Sequence, residues 1–529
     1  MPDDTLYTSE ETTGMTSTMT GKCAILVCLV STITYSLFLY FNWRTFHLIG
    51  NYGSETDFFW AYAPTGQQFA DGDLSLSDLF NRRGSVYIFV LTLINRFWDD
   101  WFLSGCFLSN LSAGFVLLLT YLLVSRIFNP ATGWFCFFSL CANLIYQRHT
   151  YEAGYDMFNL LLVMISLTLL FKEGSLKINF LGGIFGGLAF LTRSNMVIFL
   201  PFILILGIEG LSWRNYHYKR VGSALSGFSI IFVAKIVNNI FLTGSFLDSS
   251  SSGTLIKFYY LDSPRIAARY PTADQFMKAG GSFIDLILFD PVFFIKRYFS
   301  VLGKYLYHDF AGILGLPIII LIGVGMILAF FTKWTIPQKK LLFFIIPALL
   351  ILALTYHRQR YSLPHLFIYF IIAFYPLTIV SDRLSRLKRR GIYVCLIALL
   401  ISLFITNYRK SVTEMKDGPY DMLSIAEYMK KNVGDKDVII TSRKPHIGYY
   451  ANLKWQPLIY DFKTPAELSR WAIRENVSYL YWSSIEDLLL VNLRFLNTLK
   501  KHGAWEPEIY TQYSILYKLK RPSEKMFFK

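Results

Sequence analysis

Cysteine is scarce in this chain, and its placement excludes two classes of protein. Among 529 residues the six cysteines are Cys23, Cys28, Cys106, Cys136, Cys141 and Cys395, all inside apolar runs. No disulfide framework or zinc-binding spacing can be assembled from them. Repeats of fixed period are missing as well, which argues against solenoids and propellers. The first apolar run has no strongly basic region before it and no clear small-residue cleavage site after it. It therefore reads as a retained helix and not as a signal peptide.

What the chain has instead is hydrophobicity. Apolar residues make up 53% and aromatics 17%, with a mean hydropathy of +0.39. Repeated apolar runs of about 18 residues or more mean transmembrane helices. The spacing predicts about 11 of them between residues 23 and 407. The expected spans are about 23–47, 103–125, 131–146, 155–171, 178–193, 196–212, 221–243, 311–331, 341–356, 364–380 and 391–407. Residues 1–22 are Ser/Thr-rich and acidic and are expected to be disordered.

The net charge of +15 would suit a nucleic-acid partner, but its distribution points elsewhere. The basic residues gather in short links: Arg126; Lys172 and Lys177; Arg214, Lys219 and Arg220; Lys333, Lys339 and Lys340; and Arg383 through Arg390. Such links face the cytoplasm and anionic lipid under the positive-inside rule. The N-terminus is then cytoplasmic, and loops 50–101 and 244–308 lie outside, as does a tail of residues 408–529. In that tail, helix-like IAEYMKKNV, strand-like DVIITS, helix-like TPAELSRWAIREN, strand-like VSYLYW, amphipathic SIEDLLLVNLRFLNTLKK and strand-like SILYKL alternate. This pattern argues a small extracytoplasmic α/β domain. The expected fold class is thus an α-helical polytopic membrane protein carrying that domain, located in the inner (plasma) membrane.

Polar residues converge on the outer side of this topology. Asp57 and Glu55 lie just after the first span, where they are either loop acids, a helix N-cap, or groups facing a water-lined cavity. Glu152 and Asp156 stand four apart where the fourth span begins, a spacing that places both on one side of a helix. They either cap that helix or meet Asp57 across the cavity. Arg82, Arg83, Arg193, Arg358 and Arg360 fall on the same side. Each can anchor at the lipid interface; together they would suit phosphate, whose oxygens the guanidinium fork binds two at a time. Tyr62 and Tyr361 border the acids, and with Glu55 they are candidate substrate contacts. The acids admit a divalent cation, on Asp57 and Asp156, or chemistry without a metal.

With these residues placed, the chain resembles the GT-C class of integral-membrane glycosyltransferases. Within that class it is similar to the bacterial branch related to protein O-mannosyltransferases and the aminoarabinose transferases of lipid A. The segments that carry the resemblance are TDFFWAYAPTGQQFADGDLS, NRRGSVYIFVLTLINRFW, YEAGYDMFNLLLVMISLTLLF, GGIFGGLAFLTRSNMVIFLPFI and RQRYSLPHLFIYFIIAFYP, in that order. The resemblance implies transfer of a sugar from a polyprenyl-phosphate carrier to a lipid, glycan or protein acceptor on the non-cytoplasmic side. It implies a catalytic acid at Asp57, a second at Asp156 with Glu152 as substitute, and a phosphate-binding residue at Arg83. Where the family often has Lys-Pro-Pro, this chain has Arg-Arg-Gly-Ser. Arg360, Tyr361 and Pro364 match a late Arg-Tyr-x-x-Pro pattern. A transporter or flippase of an anionic or lipid-linked substrate would use the same charges, but the repeated halves and paired broken helices of such carriers are not evident.

Overall fold

A computed structural model describes residues 10–172, 175–208, 217–243, 256, 276, 283–354, 358–433, 437–458, 462, 464–483 and 503–520. These fall into two compact units. The first comprises Met1–Phe41, Gln68–Tyr151 and Tyr155–Ser411; the second comprises Asn42–Gln67, Glu152–Gly154 and Val412–Lys529.

The first unit is helical, and its helix boundaries are written locally. Asp100 caps Trp101–Ile127 by accepting from the Leu103 amide at 3.0 Å. Asn129 does the same for the Thr132 amide at 2.8 Å, with Pro130 fixing the first turn of Pro130–Ala142. Both capping side chains satisfy amides that a helix start would leave unpaired. Glycines bring Leu176–Thr192 against Tyr218–Thr243. A Cβ on Gly183 would lie 1.9 Å from the carbonyl oxygen of Ala224, and one on Gly227 would lie 2.1 Å from that of Phe180. Small residues at such a contact let two backbones approach closely, which is how helices associate without a hydrophobic driving force.

The expectation of about 11 transmembrane helices is overturned. Among the described residues, five helices are long and apolar enough to cross a membrane: Lys22–Phe46, Trp101–Ile127, Tyr218–Leu242, Gln359–Asp382 and Arg386–Asn432. The number reaches 7 if two pairs bent by 111° and 117° each count as one span. The reason is length. Pro130–Ala142, Leu176–Thr192 and Ser194–Leu206 are apolar but have 10–17 residues, or roughly 15–25 Å of helix against a hydrocarbon core of about 30 Å. The expected span at 341–356 is divided between Ile336–Phe343 and Ile345–Leu352. The fold is therefore largely helical and multi-pass, with fewer spans than the apolar runs suggested. Much of the expected outer loop 244–308 lies outside the described residues, and its end is helical, at Phe283–Phe289 and Pro291–His308.

Among the described residues, the second unit is built on a small open sheet of five strands: β1 (Ile439–Ser442), β2 (Lys454–Pro457), β3 (Val477–Ser483), β4 (Trp505–Tyr510) and β5 (Ser514–Leu519), in the order β2-β1-β3-β5-β4. β1 pairs in parallel with β2 and β3, while β5 pairs antiparallel with β3 and β4. Side chains alternate across the pleat. Ile440, Tyr479, Tyr481 and Leu516 join Met422, Ile425, Ala426 and Met429 of Tyr420–Asn432 in one core. Leu480, Trp482, Trp505, Tyr517 and Leu519 join Leu468, Trp471 and Ala472 of Pro465–Arg474 in another. Ile49, from far earlier in the chain, is fully buried in the first core. The amphipathic segment 484–501 lies outside the described residues.

Candidate active site

Three breaks in helices bring the charged residues of the first unit together. Leu144–Tyr151 and Asp156–Leu170 meet at 111°. Asp156 opens the second of these, where the helix dipole favours an anion. Arg193 is the extended residue at which Leu176–Thr192 stops and a short 3-10 turn, Ser194–Ile198, begins. Arg360 stands in another 3-10 turn, Gln359–Ser362, ahead of Leu363–Asp382.

Arg193 Nη1 donates to Asp156 Oδ1, and Arg360 Nη1 lies 3.7 Å from Oδ2 of the same carboxylate. The Arg193 guanidinium carbon is 4.2 Å from the ring centroid of Tyr361 and 5.2 Å from that of Tyr155. Arg83 donates to the hydroxyl of Tyr155 at 2.6 Å. Two guanidinium groups thus approach one carboxylate, and a third reaches the hydroxyl of the neighbouring Tyr155. Arg193 and Asp156 are both buried, yet Arg193 Nη2 has no hydrogen-bond acceptor. A buried donor left unpaired on a charged group is costly unless something supplies its partner.

Arg82 and Arg358 are exposed. Glu152 belongs to the second unit, and the helical i, i+4 spacing with Asp156 does not operate, because the chain leaves the helix between 151 and 156. Glu152 instead accepts from the Ser54 hydroxyl at 2.5 Å.

Asp57, Glu55 and Tyr62 also belong to the second unit. Asp57 is half-buried and precedes a π-helical turn, Phe58–Tyr62, without making a capping hydrogen bond to it. Tyr62 is buried. Glu55 is fully buried and accepts from the amides of Asn51 at 2.6 Å and Ala153 at 2.5 Å, with His47 Nε2 3.1 Å from Oε2. His47 and Glu55 are a buried imidazole and carboxylate of the kind that can hold a divalent cation. The donor set at Asp156 fits a cation poorly, because two guanidinium groups already neutralise it.

Sequence reasoning missed a second polar cluster in the first unit. Fully buried Asp309 accepts from the Ser362 hydroxyl, from Tyr369 Oη at 2.9 Å, and lies 3.1 Å from His365 Nε2. His365 and Tyr369 stand four apart on Leu363–Asp382, a legible signal that two polar groups share one helix face. The cluster ties down the turn that carries Arg360 and Tyr361.

No protein-family model and no curated protein sequence matches this chain. Solved structures do, at low identity, and the likeness is one of fold. ArnT from Cupriavidus metallidurans, bound to undecaprenyl phosphate, superposes with a TM-score of 0.55 at 12% identity, covering 92% of this chain and 97% of that one. The Archaeoglobus fulgidus oligosaccharyltransferase, in complex with Zn and sulfate, superposes with a TM-score of 0.53 at 12% identity, covering 91% and 71%. AglB from the same organism, with an inhibitory peptide and a dolichol-phosphate, also gives 0.53 at 12% identity, covering 88% and 70%.

Proposed function

We propose that this chain is a membrane glycosyltransferase that moves a sugar from a polyprenyl-phosphate-linked donor to a lipid, glycan or protein acceptor at the outer face of the membrane. The observation that carries the reading is Arg193 Nη2, buried beside Asp156 and lacking an acceptor. A phosphate oxygen is the partner such a donor needs, and the guanidinium fork suits it. The fold supports the same reading, since ArnT and AglB, which share it, were solved with undecaprenyl phosphate and a dolichol-phosphate.

In this proposal Arg193, Arg360 and Arg83 bind the donor phosphate, and Asp156 holds the first two in place. Tyr361 and Tyr155 supply flat faces beside the guanidinium groups. Asp57 acts as general base: it takes the proton from an acceptor hydroxyl or amine as that group attacks the anomeric carbon. The bond from that carbon to the phosphate oxygen breaks, and the polyprenyl phosphate leaves as an anion. The arginines stabilise the charge it gathers, so no acid is needed to protonate it. A divalent cation held at His47 and Glu55 would supply further positive charge to an anionic substrate.

The test is product analysis of envelope lipids and glycans by mass spectrometry in a strain lacking the chain, complemented with wild type or Asp57→Asn. Loss of one sugar modification, restored by wild type and not by the variant, supports the reading. Transport of a lipid-linked substrate into proteoliposomes with no transferred sugar would move the chain to the carriers.

A further inference from the structure

The residues around Asp57 pack within the same unit as the C-terminal sheet, and the contacts are specific. Ile49 is buried among Met422, Ile425, Ile440 and Leu516. The Gly50 amide donates to Tyr450 Oη at 2.9 Å, and Tyr52 Oη lies 3.2 Å from Tyr481 Oη. His446 Nε2 meets the Asn51 carbonyl at 3.2 Å. On the other side of Asp57, the Phe59 ring lies 4.4 Å from His446, 4.8 Å from Tyr449 and 5.5 Å from Tyr450, centroid to centroid.

The sheet topology explains why this place is occupied. From β1 the chain passes to β2 on one side, then to β3 on the other, and all three run parallel. The carboxyl end of β1 is therefore a topological switch point, where open α/β sheets leave a crevice that takes ligands. Residues Arg443, Lys444 and Pro445 form the loop at that end, between Ser442 and the helix His446–Ala451. The loop is braced: Ser442 Oγ donates to the Lys444 carbonyl at 2.6 Å and accepts from Trp455 Nε1 at 2.9 Å. From it Lys444 Nζ donates to Thr56 Oγ1 at 3.0 Å, and Thr56 Oγ1 donates to the Tyr52 carbonyl at 2.7 Å. Thr56 directly precedes Asp57.

We propose that the switch-point loop of the C-terminal domain sets the position of the Asp57 carboxylate, with Lys444 as a positioning residue that acts through Thr56. This rests on the reading of Asp57 as the base of sugar transfer. It gives the domain a role in the chemistry itself: the domain presents the acid. Loss of the Lys444 hydrogen bond leaves the Thr56 hydroxyl held by the Tyr52 carbonyl alone and uncouples it from the switch-point loop. Small misplacements of a catalytic group cost large factors in rate.

The experiment complements a strain lacking the chain with Lys444→Met, Lys444→Arg, Thr56→Val, Lys444→Met with Thr56→Val, and Asp57→Asn. It measures the sugar-modified envelope product by mass spectrometry, protein abundance in the membrane, and undecaprenyl phosphate binding to the purified full-length protein in nanodiscs by native mass spectrometry. Lys444→Met should lower product about tenfold or more, with abundance and undecaprenyl phosphate binding unchanged, and Lys444→Arg should recover most of it. Thr56→Val should reproduce the loss and the double variant should add little, because residues acting in series are not additive. Full product from Lys444→Met beside none from Asp57→Asn overturns the positioning role and leaves the transfer reading standing. Product and abundance falling in parallel also overturns it, by making Lys444 a folding residue. Full product from Asp57→Asn instead removes the transfer reading on which the proposal stands.

Discussion

Arg193 and Asp156 are joined by a buried hydrogen bond that uses one terminal nitrogen of the guanidinium and leaves the other without an acceptor. The pair is therefore half of an arrangement that an oxyanion would complete. Arg360 approaches the second carboxylate oxygen, so Asp156 holds two arginines without cancelling both charges.

Replacing Arg193 by Lys should test the fork geometry. An ammonium keeps the charge but cannot bond Asp156 and a phosphate oxygen through one planar group. Undecaprenyl phosphate should bind about tenfold more weakly, equivalent to about 1.4 kcal/mol, while the protein still inserts. Arg193→Ala should do more, leaving Asp156 facing the more distant Arg360 at 3.7 Å and destabilising the unit by about 3–5 kcal/mol.

The Asp309 cluster should behave as structural support for the Arg360 turn. Asp309→Ala strands Ser362, Tyr369 and His365 together, which should cost about 3 kcal/mol or more. A fall of several degrees in the detergent melting temperature checks this, and an unchanged melt refutes it. His365→Gln keeps a donor for Asp309 and should be milder.

Gly183→Val should separate the helices Leu176–Thr192 and Tyr218–Thr243, since even a Cβ would meet the Ala224 carbonyl at 1.9 Å. Overpacking of this kind costs about 1–3 kcal/mol. Reduced melting temperature with a normal fold elsewhere is the expected result.

His446 predicts acid sensitivity in the second unit. Burial, reinforced by the charge of Lys444, outweighs its bond to the Asn51 carbonyl and pushes the imidazole from its ordinary 6.5 down to about 3. The folded state stays neutral where the unfolded state takes a proton, so stability falls as pH drops from 6.5 towards 3 and is unaffected above 6.5. The loss is about 1.4 kcal/mol per pH unit within that window. Amide exchange across 439–457, corrected for its intrinsic rate, should accelerate between pH 6.5 and 4.5 in wild type and much less in His446→Gln.

Parts of this were legible in the chain and parts were not, for physical reasons. Strands Ile439–Ser442, Val477–Ser483 and Ser514–Leu519 fall on runs rich in β-branched and aromatic residues. Lys454–Pro457 has no such alternation and gives no local cue. Asp156, Arg193 and Arg360 are each conspicuous as a charge at the end of an apolar run, and alternation of the runs puts them on one side. Their meeting depends on three helix breaks far apart in the chain, which no spacing rule encodes. The span count failed because composition reports that a run is apolar, whereas crossing a membrane also needs length and straightness. The i, i+4 relation of Glu152 to Asp156 does not hold because the chain bends between the helices Leu144–Tyr151 and Asp156–Leu170.

The most direct measurement is undecaprenyl phosphate affinity of the full-length protein in nanodiscs, wild type against Arg360→Ala, by native mass spectrometry. Arg360 is partly exposed and its removal leaves Asp156 paired with Arg193, so the fold should survive. If the arginine cluster holds the donor phosphate, affinity should fall about tenfold or more and the loss should shrink at high salt. Equal affinity in the two proteins, at low and high salt alike, would contradict it.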